Sequence, residues 1–174
     1  MRSRCSCVSG IGLPRISSGY ICVNIYHVVD DVVFSGVDLA MLLRRAQLRK
    51  QTICETALAP LGVTLPQWGI LYAVAAQPDC STHALATFTG QSDQAAGAVV
   101  ARLERRGLLE RRPGVGKVIL HRLTPDGHDL GQRCETIIED VMTGLLSGLD
   151  AQAVRTLRSS LQVIGDAALS ARAT

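Results

Sequence analysis

The stretch "LATFTGQSDQAAGAVVARLERRGLLERR", Leu85–Arg112, decides the fold. Its first residues read as the end of a short helix that Gly90 breaks. Ser92 is placed to cap a second helix, because a serine oxygen accepts the free N–H groups of a first turn. Along that second helix Ala96, Val99, Val100 and Leu103 recur at helical spacing and predict an inward face. Arg105 and Arg106 stand where the helix dipole favours cations, and Gly107 supplies the C-terminal stop. Leu108-Leu109 then begins a strand. Two helices joined by a tight turn and followed by a strand form a helix-turn-helix with a wing.

The flanks agree with this reading. Upstream, Ser81 or Thr82 can cap the short helix, and Pro78-Asp79 ends the helix before it. That earlier helix opens at Leu65-Pro66, with Trp68, Leu71, Tyr72 and Ala75 as its expected buried stripe. A first long helix starts at Val37. It carries Leu39, Leu42, Leu43, Ala46, Ile53, Ala57, Leu58 and Leu61 at helical spacing and closes near Pro60–Gly62. Downstream, "LLERR" and "KVILHRL" predict two strands joined by a "PGVG" turn. Thr124-Pro125 restarts a long helix with Leu130, Cys134, Ile137, Ile138, Val141 and Leu145 on one face. Asp150 caps a last helix bearing Val154, Leu157, Leu161 and Ile164. The fold class is mainly α with a small β hairpin, a winged helix-turn-helix flanked by long helices.

Composition bounds the function. The chain has 174 residues, 47% hydrophobic and only 3% aromatic, so its core is aliphatic and suits helices. Seven basic residues against two acidic ones fall between Arg102 and Arg122, a local charge of +5. Within a net +3 the remainder is therefore −2, and the localised positive field fits either a polyanion partner or a solvated face. The six cysteines are irregularly spaced in a chain too long to need staples, which argues against a disulfide framework and for free thiols in a cytoplasmic setting. No apolar run reaches membrane-spanning length, so no membrane partner is expected. Residues 1–36 hold three cysteines and lack helical period; they read as a poorly ordered extension. An upstream start assignment is a second explanation, with Val28, Val29, Val32, Val33 or Val37 as the alternative start. The histidines make no metal-ligand pattern, and no nucleophile–base pair or phosphate-binding glycine loop occurs. The expectation is a non-enzyme without cofactor or metal.

From about Val37 to Ala168 the sequence resembles the MarR family of bacterial transcription regulators. The resemblance rests on the ungapped Leu85–Arg112 run together with "LTPDG", Leu123–Gly127. It implies a homodimer built from helices at about 37–60 and 125–172, a DNA-binding lobe at about 65–123, and a pseudo-palindromic operator in double-stranded DNA. Repression relieved by a small apolar or phenolic effector is the implied mode of action. Two departures stand out. The family wing carries an Asp-x-Arg near its tip, whereas here the turn is "PGVGK", about two residues shorter, with Lys117 as its only cation. The reading helix has Ala98 where the family often has Arg.

The DNA-binding candidates are Thr82, Ser92, Gln94, Ala95, Ala98, Arg102, Arg105, Arg112, Lys117 and Arg122. Gln94 suits adenine and Ala95 a thymine methyl. Arg105 and Arg106 admit two roles, phosphate contact or complement to the helix end. Arg111 and Arg112 alternate along a strand, so at most one faces DNA and the other is available to Glu104 or Glu110. Trp68, Tyr72 and Leu43 are candidates for lining an effector pocket, with ordinary core as the competing role. The expected dimer interface comprises Leu39, Leu42, Ile137, Val141, Leu145, Leu157, Leu161 and Ile164. Cys22 and Cys54 are the candidates for a thiol-sensing alternative, Cys54 lying about a turn from Arg49 and Lys50. Cys134 reads as core and Cys80 as loop. The other alternative is a protein-interaction dimer of this fold without sequence-specific DNA binding.

Overall fold

The computed structural model describes residues 26–29 and 32–170. The chain divides into two compact units, residues 1–45 and 46–174. In the first, β1 (Tyr26–Val29) pairs antiparallel with β2 (Val32–Ser35), Val28 opposite Val33 and Val29 opposite Val32. These two strands lie within residues 1–36, the segment expected to be a poorly ordered extension. β-branched residues favour a pleated backbone whether or not they show a helical period. The helix α1 (Gly36–Leu58) begins here, its Asp38 N–H donating to Ser35 Oγ at 3.4 Å. Leu39, Leu42 and Leu43 are exposed along it.

In the second unit α1 ends in a short 3-10 turn, Ala59–Leu61, closed by Gly62 at φ +62°. Thr64 and Gln67 form a reciprocal capping box that starts α2 (Leu65–Ala76). Then follow β3 (Cys80–Ser81), α3 (Thr82–Thr89), α4 (Asp93–Arg105), β4 (Leu109–Pro113), β5 (Ile119–Leu123), α5 (Pro125–Leu146) and α6 (Ala151–Ser170). Each sequence-predicted cap forms: Ser81 accepts from Ala84 N–H, Ser92 from Ala95, Thr124 from Gly127 and Asp150 from Ala153. The sheet has three strands in the order β3-β5-β4, all antiparallel. The extra strand β3 corrects the loop expected at Cys80. Two residues are too few to show a period, and the pairing of Cys80 with His121 is set across the fold.

One apolar cluster joins α2, α3, α4 and the sheet through Ile70, Leu71, Val74, Leu85, Val100 and Leu103. A second joins α1, α2 and α5 through Cys54, Leu58, Val63, Cys134 and Ile138. Of the expected stripe Trp68, Leu71, Tyr72 and Ala75, Leu71 is buried and Trp68 half-buried, whereas Tyr72 and Ala75 are exposed; Ile70, Ala73 and Val74 complete the apolar buried face. The whole of α2 is apolar, so spacing alone could not choose its inner face. Ile137 and Val141, expected at the dimer interface, are half-buried and pack on the second cluster.

The joint between β4 and α5 is tight. Thr124 N–H donates to Leu108 O at 3.2 Å, and Thr124 Oγ1 donates to Gly107 O at 2.7 Å. A Cβ on Gly127 would stand 2.0 Å from Leu108 O. Backbone cannot yield as a flexible side chain does, so Gly127→Ala is expected to destabilise by about 3 kcal/mol or more. A urea midpoint unchanged from the parent would contradict this joint.

Candidate nucleic-acid interface

The exposed face of α4 is built by exclusion. Ala96, Val100 and Leu103 are buried, so Gln94, Ala95, Ala98, Arg102 and Arg105 are left outward over three turns. These five come together on one face. Ser92 spends its oxygen on the cap, and Asp93 at the first position meets His83 Nδ1 at 3.0 Å from both carboxylate oxygens. The small side chains at Ala95 and Ala98 leave room for close approach of a base edge, and the two arginines lie at the helix's far end.

The basic cluster divides into paired and unpaired members. Arg111 Nε donates to Glu104 Oε1 at 2.8 Å, and Arg112 Nη2 donates to Glu110 Oε1 at 2.7 Å. Both arginines are thus held by carboxylates, where the alternation rule anticipated one. Arg106 Nη1 donates to Gly62 O at 3.0 Å, tying the end of α4 to the start of α2. Arg122 Nε donates to Asp79 Oδ1 at 3.1 Å, and its Nη2 donates to the other oxygen. Asp79 has φ +59°, a left-handed turn that follows α2. Arg112 and Arg122 are therefore occupied by acidic partners before any phosphate arrives. Asp79 lies outside the charged window, so local counting along the chain missed it. Among the described residues Arg102, Arg105 and Lys117 form no salt bridge. Lys117 sits in the turn between β4 and β5, beside Gly116 at φ +69°.

Thr82 opens α3 half-buried, its hydroxyl 2.9 Å from His121 Nε2. Its methyl lies 3.8 Å from where a Cβ on Gly97 would stand, so α3 and α4 approach closely there. His121 is 2% exposed, and its Nδ1 lies 3.3 Å from Glu104 Oε1 without a hydrogen bond. Burial pushes its pKa below the usual histidine value, with Glu104 pulling the other way. The sequence read His121 as a surface or strand residue; it is on a strand and buried.

A cleft of about 400 Å³ lies between α1, α2 and α3, lined among others by Lys50, Trp68, Gly69, Tyr72, Phe88 and Thr89. The Trp68 and Tyr72 rings are 5.6 Å apart, and Tyr72 and Phe88 6.1 Å. The cleft thus gathers Trp68 and Tyr72, as the sequence suggested, but Leu43 is not one of its lining residues. Lys50 and Phe88 went unread because they belong to other helices and meet only in the fold. Cys54 is 1% exposed among apolar neighbours, which argues against it as a thiol sensor. Cys22 lies outside the described residues. Burial pushes the thiols of Cys80 and Cys134 up, away from the reactive thiolate. Among the described residues no group of His, Cys, Asp and Glu could hold a metal ion, and no single helix is long and apolar enough to cross a membrane.

This arrangement has known relatives. A family model described as the MarR family matches residues 61–117. The chain is 30% identical over 129 residues to the HTH-type transcriptional repressor Rv2887 of Mycobacterium tuberculosis (strain ATCC 25618 / H37Rv), spanning 73% of this chain and 93% of that protein. The chain belongs to the MarR family of transcription regulators. The crystal structure of the M. tuberculosis MarR family protein Rv2887 in complex with salicylic acid superposes with TM-score 0.60 at 29% identity, covering 72% of this chain and 95% of that one. Bordetella bronchiseptica BpsR, whose DNA binding is regulated by 6-hydroxynicotinic acid, superposes with TM-score 0.68 at 25% identity, covering 73% and 98%. The MarR winged helix is therefore the architecture here: α3 and α4 form the helix-turn-helix, and β4–β5 form the wing.

The pairing pattern makes two measurable statements. Replacing Arg102, Arg105 or Lys117 by Ala is expected to flatten the plot of log binding constant against log salt, by about 0.9 for each phosphate left without its cation. Arg122→Ala, whose partner is Asp79, leaves that slope within error; fluorescence anisotropy over a salt series checks both. Secondly, the Arg122 hydrogen bonds hold the Asp79 carboxyl below its usual range. A depressed carboxylate stabilises the fold above its unfolded pKa, and the contribution is lost as pH falls through the folded value. Asp79→Asn is accordingly expected to lower stability at neutral pH and to converge with the parent in acid, read from urea midpoints across that range.

Proposed function

We propose that this chain is a homodimeric repressor that binds a pseudo-palindromic operator and is released by a small aromatic carboxylic acid. The observation that carries the DNA reading is the outward face of α4. Gln94, Ala95 and Ala98 leave base-edge chemistry available, and Arg102 and Arg105 have no ionic partner among the described residues. Gln94 can pair bidentately with adenine, and alanine methyls suit thymine. Arg102 and Arg105, with Lys117 on the wing, supply the sequence-independent phosphate attraction.

The dimer reading rests on apolar faces that this chain leaves in water. Leu157, Leu161 and Ile164 are exposed at helical spacing on α6, as are Leu145 on α5 and Leu39 and Leu42 on α1. Burying each such side chain contributes roughly 1.5–3 kcal/mol, and a second copy offers the same faces with two-fold symmetry. Two recognition helices about 34 Å apart then enter successive major grooves.

For the effector, the cleft joins three aromatic rings to the Lys50 ammonium. Trp68, one of the lining residues, also keeps its indole N–H buried without a hydrogen-bond partner, an unmet donor. A ring carrying a carboxylate matches that set, and the acids of the two relatives above are of this class. Release follows only where the acid prefers one spacing of the reading helices.

The test is a gel shift with the DNA upstream of the chain's own gene, using protein shown to be dimeric by light scattering. Retention at low salt and loss on adding salicylate is the expected result. Lys50→Met is expected to leave DNA affinity intact and to raise the salicylate needed for release about tenfold, the worth of one charge-assisted hydrogen bond. A confirmed dimer that leaves the fragment unshifted at low salt would refute the regulator reading.

A further inference from the structure

His121 occupies the centre of the winged helix without any role in the reading above. It lies on β5, the middle strand, with Cys80 of β3 opposite on one side and Arg111 of β4 on the other. Its ring meets Thr82 Oγ1 of α3 through Nε2 at 2.9 Å and Glu104 Oε1 of α4 through Nδ1 at 3.3 Å. The same Glu104 oxygen accepts from Arg111 Nε at 2.8 Å. One side chain therefore touches the start of the helix-turn-helix, the end of the reading helix and, through Glu104, the wing.

Counting hydrogens in this cluster gives two distinct states. A neutral imidazole has one N–H. The Glu104 carboxylate, 3.3 Å from Nδ1 but not hydrogen-bonded to it, offers only lone pairs and electrostatically favours the hydrogen on Nδ1. Nε2 must then accept, and the Thr82 hydroxyl spends its single hydrogen on it. A protonated imidazole donates from both nitrogens. Nε2 then donates into Thr82 Oγ1, and the hydroxyl hydrogen is released to point elsewhere. Thr82 is half-buried and packs against Gly97 on α4, the helix whose outer face is read above as the groove face.

We propose that His121 is a positioning residue for DNA binding: its proton converts the Thr82 hydroxyl from a donor spent inside the protein into a donor for a DNA phosphate. The proposal rests on the DNA-binding reading. The groups around the ring are Glu104 from α4, the neutral Thr82 hydroxyl from α3, Arg111 from β4, which is held by Glu104, and Cys80, the backbone pair of His121 on β3. From the turn before β3, Asp79 contributes its backbone N–H to His121 O at 3.1 Å while its carboxylate is held by Arg122. Burial pushes the ring's pKa below the usual histidine value, which favours the neutral, donor-spent state at neutral pH. Because the phosphate contact favours the protonated ring, binding takes up a proton and affinity rises as pH falls.

Fluorescence anisotropy with the labelled upstream fragment tests this at constant ionic strength, in a His83→Gln background that removes the imidazole beside Asp93. Between about pH 7.5 and 5.5 affinity is expected to rise about tenfold, one proton's worth of linkage spread over that range. Thr82→Val and His121→Gln are each expected to flatten the profile to within about twofold, since neither can complete the relay, and Thr82→Ser to restore it. An unaltered slope in Thr82→Val, or a flat one in Thr82→Ser, overturns the proposal. Should His121→Gln not fold, the proton NMR titration of the His121 ring in the background protein decides: its pKa is expected to rise on adding DNA, and an unmoved value overturns the proposal. A fragment bound equally across the pH range removes this inference alone. A fragment not bound at any pH removes the DNA-binding reading with it.

Discussion

The close approach of α5 to the strand start at Leu108 is the constraint on which the rest of the winged helix depends. Leu108 O receives the Thr124 N–H, and the first turn of α5 runs so near that Gly127 has no room for a Cβ. Thr124 serves both sides: its oxygen accepts from Gly127 N–H to cap α5 and donates to Gly107 O at the exit of α4. Three backbone segments are thus pinned within one turn of chain. The reading helix, the wing and α5 inherit their mutual positions from that joint.

Charge works differently in this protein from what its density along the chain suggests. The arginines of the Arg102–Arg122 segment mostly answer local carboxylates or carbonyls: Arg111 holds Glu104, Arg112 holds Glu110, Arg122 holds Asp79 and Arg106 holds Gly62 O. Such exposed pairs fix side-chain directions more than they stabilise the fold. They also reserve the positive field for Arg102, Arg105 and Lys117. In the proposed mode of DNA binding, attraction comes from these three cations and base reading from the neutral patch at Gln94, Ala95 and Ala98.

The cleft and the buried histidine belong to the same logic of shared walls. Trp68 and Tyr72 project from α2 and Phe88 from α3, so any occupant touches both the scaffold and the helix-turn-helix. His121 binds the other side of α3 through Thr82. The short helix α3 is therefore held from two sides, by aromatic packing and by a hydrogen bond whose direction depends on a proton.

The sequence alone determined the six α-helices, the β4–β5 hairpin and their order. Ser81, Ser92, Thr124 and Asp150 announce helix starts, and Gly62, Gly90 and Gly107 announce stops, because caps and left-handed glycines act within one turn of chain. The inward face of α4 was equally legible, since Ala96, Val100 and Leu103 recur at helical spacing and are buried, with Val99 half-buried beside them. Only the tertiary structure decided the inner face of the uniformly apolar α2, the strand at Cys80-Ser81, and the partners of Arg122 and His121. Those contacts join residues 39 to 43 positions apart. Periodicity carries no information over such separations; pairing there is fixed by which backbones the core brings within hydrogen-bond reach.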